Sequence, residues 1–353
     1  MAFASTADAG GNNPLITGTT TLYGTMPFSR LTAADMEEAV LEGIRLQNQE
    51  IDAIVNQRSV PTFENTIVAL DRSGQVLTRS ILALSNIESA NGTQAIMDAY
   101  TRVTPVLSKH ETDIMLNEGL WNRVKQVHDL AAKDESLTPE DRRLIDKTYD
   151  SFVTSGANLQ GADRERFRQL QAELSDLNVK FSQNVTNEMK DPSRRMWLTA
   201  DQLDGIPESI KAAYRAAAAD ALKADNKPDD GSLYLVTIYR PSYSPFMTYS
   251  SNRDLRKRLY DLNNTTNIAG PYDNSQILKD IANIRLEIAR LMGKKNFAEY
   301  QLQHTMAKTP ETVQEFLEDL NKNYTEAMRR EIDELQDYAR KTQGADFLLQ
   351  PWD

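Results

Sequence analysis

The chain has 353 residues, enough for two or three domains or one large helical body, and 40% of them are hydrophobic, which suffices for a substantial core. A total of 51 acidic against 40 basic residues gives a net charge of −11, which argues against nucleic acid and anionic membranes as partners. Because the chain contains no cysteine, disulfide scaffolds, thiolate metal sites and cysteine nucleophiles are excluded.

The N-terminus carries no signal-peptide pattern, and no apolar run approaches the roughly 18 residues of a membrane span. We therefore expect a soluble globular protein without a membrane partner. Residues 2–4 fit either the tail of a cleaved signal or an ordinary polar leader. The lack of cysteine suits the cytoplasm and the periplasm equally, so the compartment stays undetermined.

The first third of the chain predicts a flexible tail over residues 1–13, an extended arm over residues 14–28, and then helices. Thr32 with Asp35 forms a capping-box pattern, and apolar residues keep a helical period to about Val55. A second helix follows Pro61, with a bend at Gly74.

The middle of the chain continues the helical pattern. Thr138 followed by Pro139 and Asp141 is typical of a helix start. Further helices are predicted, in chain order, over residues 93–107, 112–132, 164–185 and 207–223.

Residues 233–249 are the one region that predicts β-structure. Residues 233–239 are rich in β-branched and aromatic side chains, residues 241–245 carry two prolines typical of a loop, and residues 246–249 can return as a second strand. Ser251 with Asp254 then predicts the cap of a following helix. The expected fold is mainly α: an elongated multi-helix body with one short β-hairpin at about residues 233–249.

The last part of the chain predicts two more helices. One covers residues 277–291 and ends at Gly293. The other begins at Thr309 and Pro310 and reaches about Gln343, which makes it on the order of 50 Å long. Its apolar residues outnumber those that the preceding helices need as partners, so we expect one face to be uncovered.

No residue of this chain is predicted to be catalytic or to bind a metal. The three histidines are His110, His128 and His304, and no two of them stand four apart, the spacing that lets one helix direct two imidazoles at one metal ion. His110 is interpreted as a surface or capping histidine. Serine-nucleophile and phosphate-loop motifs are also absent from the sequence.

Two residue groups leave alternatives open. The tyrosines of residues 233–249 can either present hydroxyl groups to a peptide or pack onto helices. The arginines after them, Arg253, Arg256 and Arg258, can capture the C-terminal carboxylate of a substrate, face solvent, or pair with acidic residues. Substrate-binding residues therefore stay unknown.

Several sequence fragments resemble the M3 family of zinc metallopeptidases, the dipeptidyl carboxypeptidase branch most of all. The likeness extends over nearly the whole chain, through NPL at 13–15, YGTMPF at 23–28, PTFENTIVALDRSG at 61–74, LRKRLYDLNN at 255–264, IRLEIARLMGKKNFAEYQL at 284–302, MAKTPETVQEFL at 306–317 and LQPWD at 349–353.

The resemblance implies an N-terminal helical domain over residues 14–245 and the beginning of the peptidase region over residues 246–353, truncated before the zinc motif. It implies a parent enzyme that cleaves short peptides, releasing C-terminal dipeptides, with a zinc ion that this chain does not bind. The partners would be short peptides and the missing C-terminal catalytic half, in cis or in trans, and this chain alone is expected to be inactive. The alternative is a stand-alone helical scaffold that binds peptides or other proteins without catalysis.

Overall fold

The computed structural model describes residues 13–19 and 21–353. Helices make up most of the described chain, and the two strands found in it are four residues long each, β1 (Arg195–Leu198) and β2 (Tyr234–Thr237). The prediction of a mainly α-helical fold is confirmed. The helices are α1 (Pro14–Thr17), α2 (Ala33–Asn56), a π-helical turn (Phe63–Val68) that leads into α3 (Ala69–Asp71), α4 (Gln75–Asn91), α5 (Gln94–Met115), α6 (Glu118–Ala131), α7 (Pro139–Thr154), α8 (Gly161–Lys190), α9 (Glu208–Ala224), α10 (Arg240–Tyr249), α11 (Arg253–Asn264), α12 (Ser275–Leu291), α13 (Phe297–Leu302) and α14 (Pro310–Gln343).

Local capping fixes the starts of the long helices. At α2, the Asp35 amide donates to Thr32 Oγ1 at 3.2 Å, and the Thr32 amide donates to the Asp35 carboxylate at 2.7 Å. Thr138 makes the same reciprocal pair with the third residue of α7, and the Thr309 side chain caps α14. These caps satisfy N–H groups that have no carbonyl partner in a first turn, so the predicted starts are confirmed.

The predicted bend at Gly74 is a full break. Gly74 has φ 71°, a left-handed conformation that glycine adopts at little cost, and α4 begins at the next residue. The Gly74 amide donates to the Glu50 carboxylate at 2.7 Å, which ties the break to α2.

The predicted boundary between residues 107 and 112 is wrong. Helix α5 runs through this stretch, and the Thr112 hydroxyl donates to the Ser108 carbonyl at 2.8 Å, as an interior helical threonine can. The next helix begins later, where the Asn117 side chain accepts a bond from the Leu120 amide at 2.9 Å.

The predicted hairpin of residues 233–249 is also wrong in its second strand. Strand β2 pairs antiparallel with β1, with Met196 opposite Val236, and both of these residues are fully buried. Residues 240–249 form α10 instead, with Pro241 in the first turn, where a missing N–H costs nothing, and Pro245 inside the helix. The following cap is Asn252, which accepts a bond from the Leu255 amide at 3.1 Å, rather than Ser251.

The contacts divide the chain into two compact units. Unit 1 comprises the described residues up to Val179 together with Ile284–Tyr300, and unit 2 comprises Lys180–Asn283 and Gln301–Asp353. Unit 1 contains three clusters of buried hydrophobic residues, centred on Trp121, on Leu84 and on Phe167. Helices α2 and α4 of unit 1 approach closely at Gly43 of α2, where an added Cβ would lie 2.6 Å from the Leu77 Cα of α4.

Unit 2 has its core between the two strands and helices α9, α10 and α11. Phe246 is fully buried there, and the Tyr214 hydroxyl donates to the Ser242 carbonyl at 2.8 Å. A buried ion pair lies beside this core, where Arg194 Nε donates to the Glu188 carboxylate at 3.0 Å and Arg194 Nη1 donates to the Leu262 carbonyl at 3.0 Å.

No described helix combines the length and the apolar character that crossing a membrane would require. Of the predicted tail at residues 1–13, only Asn13 lies within the described residues, where it caps α1 and donates to the Asp35 carbonyl at 2.7 Å. The division between residues 14–245 and 246–353 stays a prediction.

Candidate functional site: helix α14 and the segment that anchors it

The histidines do not form a metal site in the described part of the chain. His110 is 5% exposed, and its Nε2 lies 2.8 Å from Gln47 Oε1, so its interpretation as a surface or capping histidine is wrong. Burial lowers its pKa, which keeps the ring neutral. His128 stacks on Tyr149 with ring centroids 3.8 Å apart.

Among the described residues, no three or more histidine, aspartate or glutamate side chains are placed to hold a metal ion. A zinc ion needs three or four such ligands at about 2.0–2.2 Å. The described residues therefore do not fit the zinc of an M3 peptidase, and no step of zinc chemistry can be assigned to them.

The tyrosines of residues 233–249 divide between the two alternatives. Tyr234 and Tyr243 pack against the core of unit 2, and burial raises the pKa of Tyr243. Tyr239 and Tyr249 are 39% and 49% exposed. Packing thus explains two of the four, and the other two have hydroxyl-bearing rings at the surface.

Arg253 and Arg256 of α11 pair with an acidic residue of the same chain. The Asp353 carboxylate accepts bonds from Arg253 Nη2 at 2.7 Å and from Arg256 Nη2 at 3.1 Å. Its side chain is only 5% exposed. The hydrogen bond from Arg253 holds the Asp353 pKa below its ordinary value, so the carboxylate is charged at neutral pH. Arg258, on the same helix, is exposed.

The same two arginines hold the backbone of residues 347–353, the anchor segment. Arg253 Nη2 donates to the Leu348 carbonyl at 2.8 Å, and Arg256 Nε donates to the Trp352 carbonyl at 2.8 Å. The Arg253 guanidinium carbon lies 4.3 Å from the centre of the Phe347 ring, a cation–π distance. Two charged side chains therefore fix this segment on α11.

The Trp352 side chain adds an aromatic contact to this attachment. Its ring centroid lies 5.7 Å from that of Tyr260 at an angle of 60°, and Lys257 Nζ lies 5.2 Å from it. Beside the segment opens a groove of about 530 Å³, lined by Arg253, Phe347 and Trp352 among others. The guanidinium of Arg253 in this groove already binds the Asp353 carboxylate.

The anchor segment also binds the last turns of α14. Gln336 Nε2 donates to the Phe347 carbonyl at 2.8 Å, and Gln336 Oε1 accepts a bond from the Leu349 amide at 3.0 Å. Nearby, Ala339 is the one residue of α14 that is buried within the described chain. The segment thus connects α14 to α11.

Most of α14 exposes a continuous apolar face. Its large exposed apolar residues, apart from the adjacent pair Phe316 and Leu317, are three, four or seven positions apart, so they lie on one side of the helix. Each is between 50% and 68% exposed, which confirms the prediction of an uncovered face. We define this apolar face as Phe316, Leu317, Tyr324, Met328, Ile332, Leu335 and Tyr338.

Sequence reasoning missed the partners of the α11 arginines. Asp353 was not singled out, because it lies 100 and 97 residues along the chain from Arg253 and Arg256. The one available signal was the spacing of Arg253 and Arg256, which places both on the same face of a helix, where they can share one carboxylate.

Comparison with known proteins gives consistent matches. Residues 246–353 match the family model described as Peptidase family M3. The chain is 30% identical over 346 residues to oligopeptidase A of Escherichia coli, 29% identical over 348 residues to oligopeptidase A of Haemophilus influenzae, and 28% identical over 353 residues to dipeptidyl carboxypeptidase of Salmonella typhimurium. Each match covers 97% of this chain and 49% of the relative. The chain spans about half the length of these curated relatives, and its match to peptidase family M3 lies in residues 246–353.

Proposed function

We propose that this chain is the substrate-channel wall of a zinc-dependent M3 peptidase that cleaves short peptides. The zinc ion and the catalytic residues would lie in the polypeptide that follows residue 353 in the parent protein. The observation that carries the proposal is the apolar face of α14, which lies within the family-matching residues 246–353 and has no cover among the described residues.

The physical reason is the cost of leaving apolar surface in water. Seven large side chains in one row, each at least half exposed, exceed the scattered apolar residues of an ordinary surface. Covering such a row contributes about 25 cal/mol per Å² of apolar area removed from water. A catalytic part of the same parent protein, of a size comparable to this chain, would supply that cover.

We further propose that the parent enzyme releases dipeptides from the C-terminus of its substrates. The identities to oligopeptidase A and to dipeptidyl carboxypeptidase differ by only two percentage points, 30% against 28%, so they do not separate the two activities. Release of internal fragments, as the name oligopeptidase suggests, is the competing outcome of the test.

The test is a cleavage assay on the parent protein with peptides of five to ten residues, followed by mass spectrometry of the products. We expect successive loss of dipeptides from the C-terminus, abolished by a metal chelator and restored by zinc. Internal cleavage would replace the dipeptide proposal by an oligopeptidase. A parent protein that cleaves nothing while the 353-residue chain binds peptides would favour the non-catalytic scaffold.

A further inference from the structure

The starting observation is that α14 is attached to unit 2 near one end. The helix has 34 residues, about 51 Å at 1.5 Å per residue. Its attachment lies in its last turns, at Ala339 and at the two hydrogen bonds of Gln336 to the anchor segment. A rotation of roughly 10° about this attachment would move the start of the helix, about 40 Å away at 1.5 Å per residue, by about 7 Å.

The anchor segment is in turn fixed to α11 by Arg253 and Arg256, which bind two of its backbone carbonyls and the Asp353 carboxylate. Asp353 accepts bonds from Arg253 and Arg256 and also from the Gln350 amide at 3.0 Å, so its oxygens have several donors each. Arg256 is itself oriented, because its Nη1 donates to the Ser250 carbonyl at 2.7 Å. A carboxylate shared by two guanidinium groups is held in a specific geometry, because each planar guanidinium donates its hydrogen bonds only within a narrow range of directions.

We propose that Arg253, Arg256 and Asp353, which we name the clasp, set the direction of α14 and thereby seat the catalytic part of the enzyme on its apolar face. The inference rests on the proposed function. It makes Arg253 and Arg256 positioning residues rather than a receptor for the substrate carboxylate, because Asp353 already occupies both guanidinium groups.

The first experiment measures the direction of α14 directly, without reference to activity. Because the chain has no cysteine, two introduced cysteines can be spin-labelled without background. Ala213→Cys on α9 and Glu326→Cys on α14 are both exposed positions of unit 2. The distance distribution between the labels would be measured by double electron–electron resonance in five backgrounds: no further substitution, Asp353→Asn, Asp353→Glu, Arg253→Gln with Arg256→Gln, and Arg258→Gln.

We expect a narrow distance distribution in the labelled protein without further substitution. The same holds for Arg258→Gln, which removes an exposed arginine of α11. Asp353→Asn and the double arginine variant should broaden the distribution by about twofold, because the charge-assisted bonds are lost. Asp353→Glu should restore most of the narrow distribution. Circular dichroism would verify that the variants have equal helix content. If the double arginine variant fails to fold, the milder Asp353→Asn variant alone tests the proposal. Unchanged distributions in both clasp variants would overturn the proposal.

The second experiment measures kcat and KM of the full parent enzyme with the same substitutions. A catalytic part seated wrongly by even 1 Å loses rate, so we expect kcat/KM of the clasp variants to fall about 100-fold, mainly through kcat, with Arg258→Gln near the wild type. Broadened label distances with unchanged kcat/KM would refute the seating role. An inactive wild-type parent would instead refute the proposed function and, with it, the seating role, while the label distances would still show whether the clasp orients α14.

Discussion

Arg123 is a buried cation that holds the turn between α2 and α3. Its side chain is 8% exposed, Nη2 donates to Asn65 Oδ1 at 2.9 Å, and Nη1 donates to the Ser59 carbonyl at 3.3 Å. Burial lowers its pKa, but a guanidinium stays charged in proteins. The hydrogen bonds therefore have to compensate for the loss of hydration.

From this geometry we expect Arg123→Met to lower the free energy of unfolding by about 3 kcal/mol, because the buried Thr66 hydroxyl and partly buried oxygens of Ser59 and Asn65 lose a charged donor at once. Urea denaturation at neutral pH measures the change. Arg143→Met, at an exposed position of α7, is the matched control and should stay within about 0.5 kcal/mol of the wild type. Equal stability of the two variants would mean that Arg123 contributes no more than a surface arginine.

His110 links stability to pH. Burial is the main cause of its lowered pKa, so the folded state binds its proton less readily than the unfolded state, whose reference pKa is 6.5. The stabilising contribution of the neutral ring is therefore complete above pH 6.5 and is lost as the pH falls from there through the folded-state pKa.

We accordingly expect the free energy of unfolding to decrease between about pH 7.5 and about pH 5 by more in the wild type than in His110→Gln, since glutamine cannot titrate but can still bond Gln47. Denaturation at a series of pH values measures both slopes. Identical slopes would show that His110 has the same pKa in the folded and unfolded states.

At the scale of elements, α14 differs from every other long helix in how little of it is buried. Helix α8, by comparison, buries Phe167 and Leu170 completely. Amide exchange depends on how readily a segment opens, and a helix with few packed side chains opens at low free energy.

We predict that in the isolated 353-residue chain the amides of α14 exchange much faster than those of residues 164–185. Hydrogen exchange followed by mass spectrometry measures both segments in one sample. In the parent enzyme the α14 amides should become protected, because the apolar face is covered there. Protection of α14 in the isolated chain as strong as that of residues 164–185 would contradict a missing partner.

At the scale of the whole molecule, we predict that the 353-residue chain binds no zinc stoichiometrically, whereas the parent protein binds one zinc ion per chain. The reason is ligand number: a catalytic zinc needs about three protein ligands that converge on one point, whereas His110 contacts Gln47 and His128 stacks on Tyr149. Elemental analysis after gel filtration measures the ratio in both proteins. One zinc ion per 353-residue chain, with chelator-sensitive peptide cleavage, would contradict the prediction.

Features that depend on neighbouring residues could be derived from the sequence alone. Thr32, Thr138 and Thr309 cap helices through atoms within three residues, and Gly293 ends α12 through its own backbone freedom. The spacing of apolar residues in α14 likewise predicts which face is apolar, because residues three or four positions apart lie on the same side of a helix. The mainly helical fold and the position of the apolar face follow from such local rules.

Only the tertiary structure could decide contacts between distant residues. Arg253 and Asp353 are 100 residues apart, and His110 and Gln47 are 63 apart, so no local pattern connects them. The same reason explains the wrong hairpin: β2 pairs with β1, which precedes it by nearly 40 residues, because burial of Met196 against Val236 outweighs the shorter connection to residues 246–249. The sequence by itself determined the helices and the apolar face, whereas the pairing of strands and of charges depended on how the chain folds back on itself.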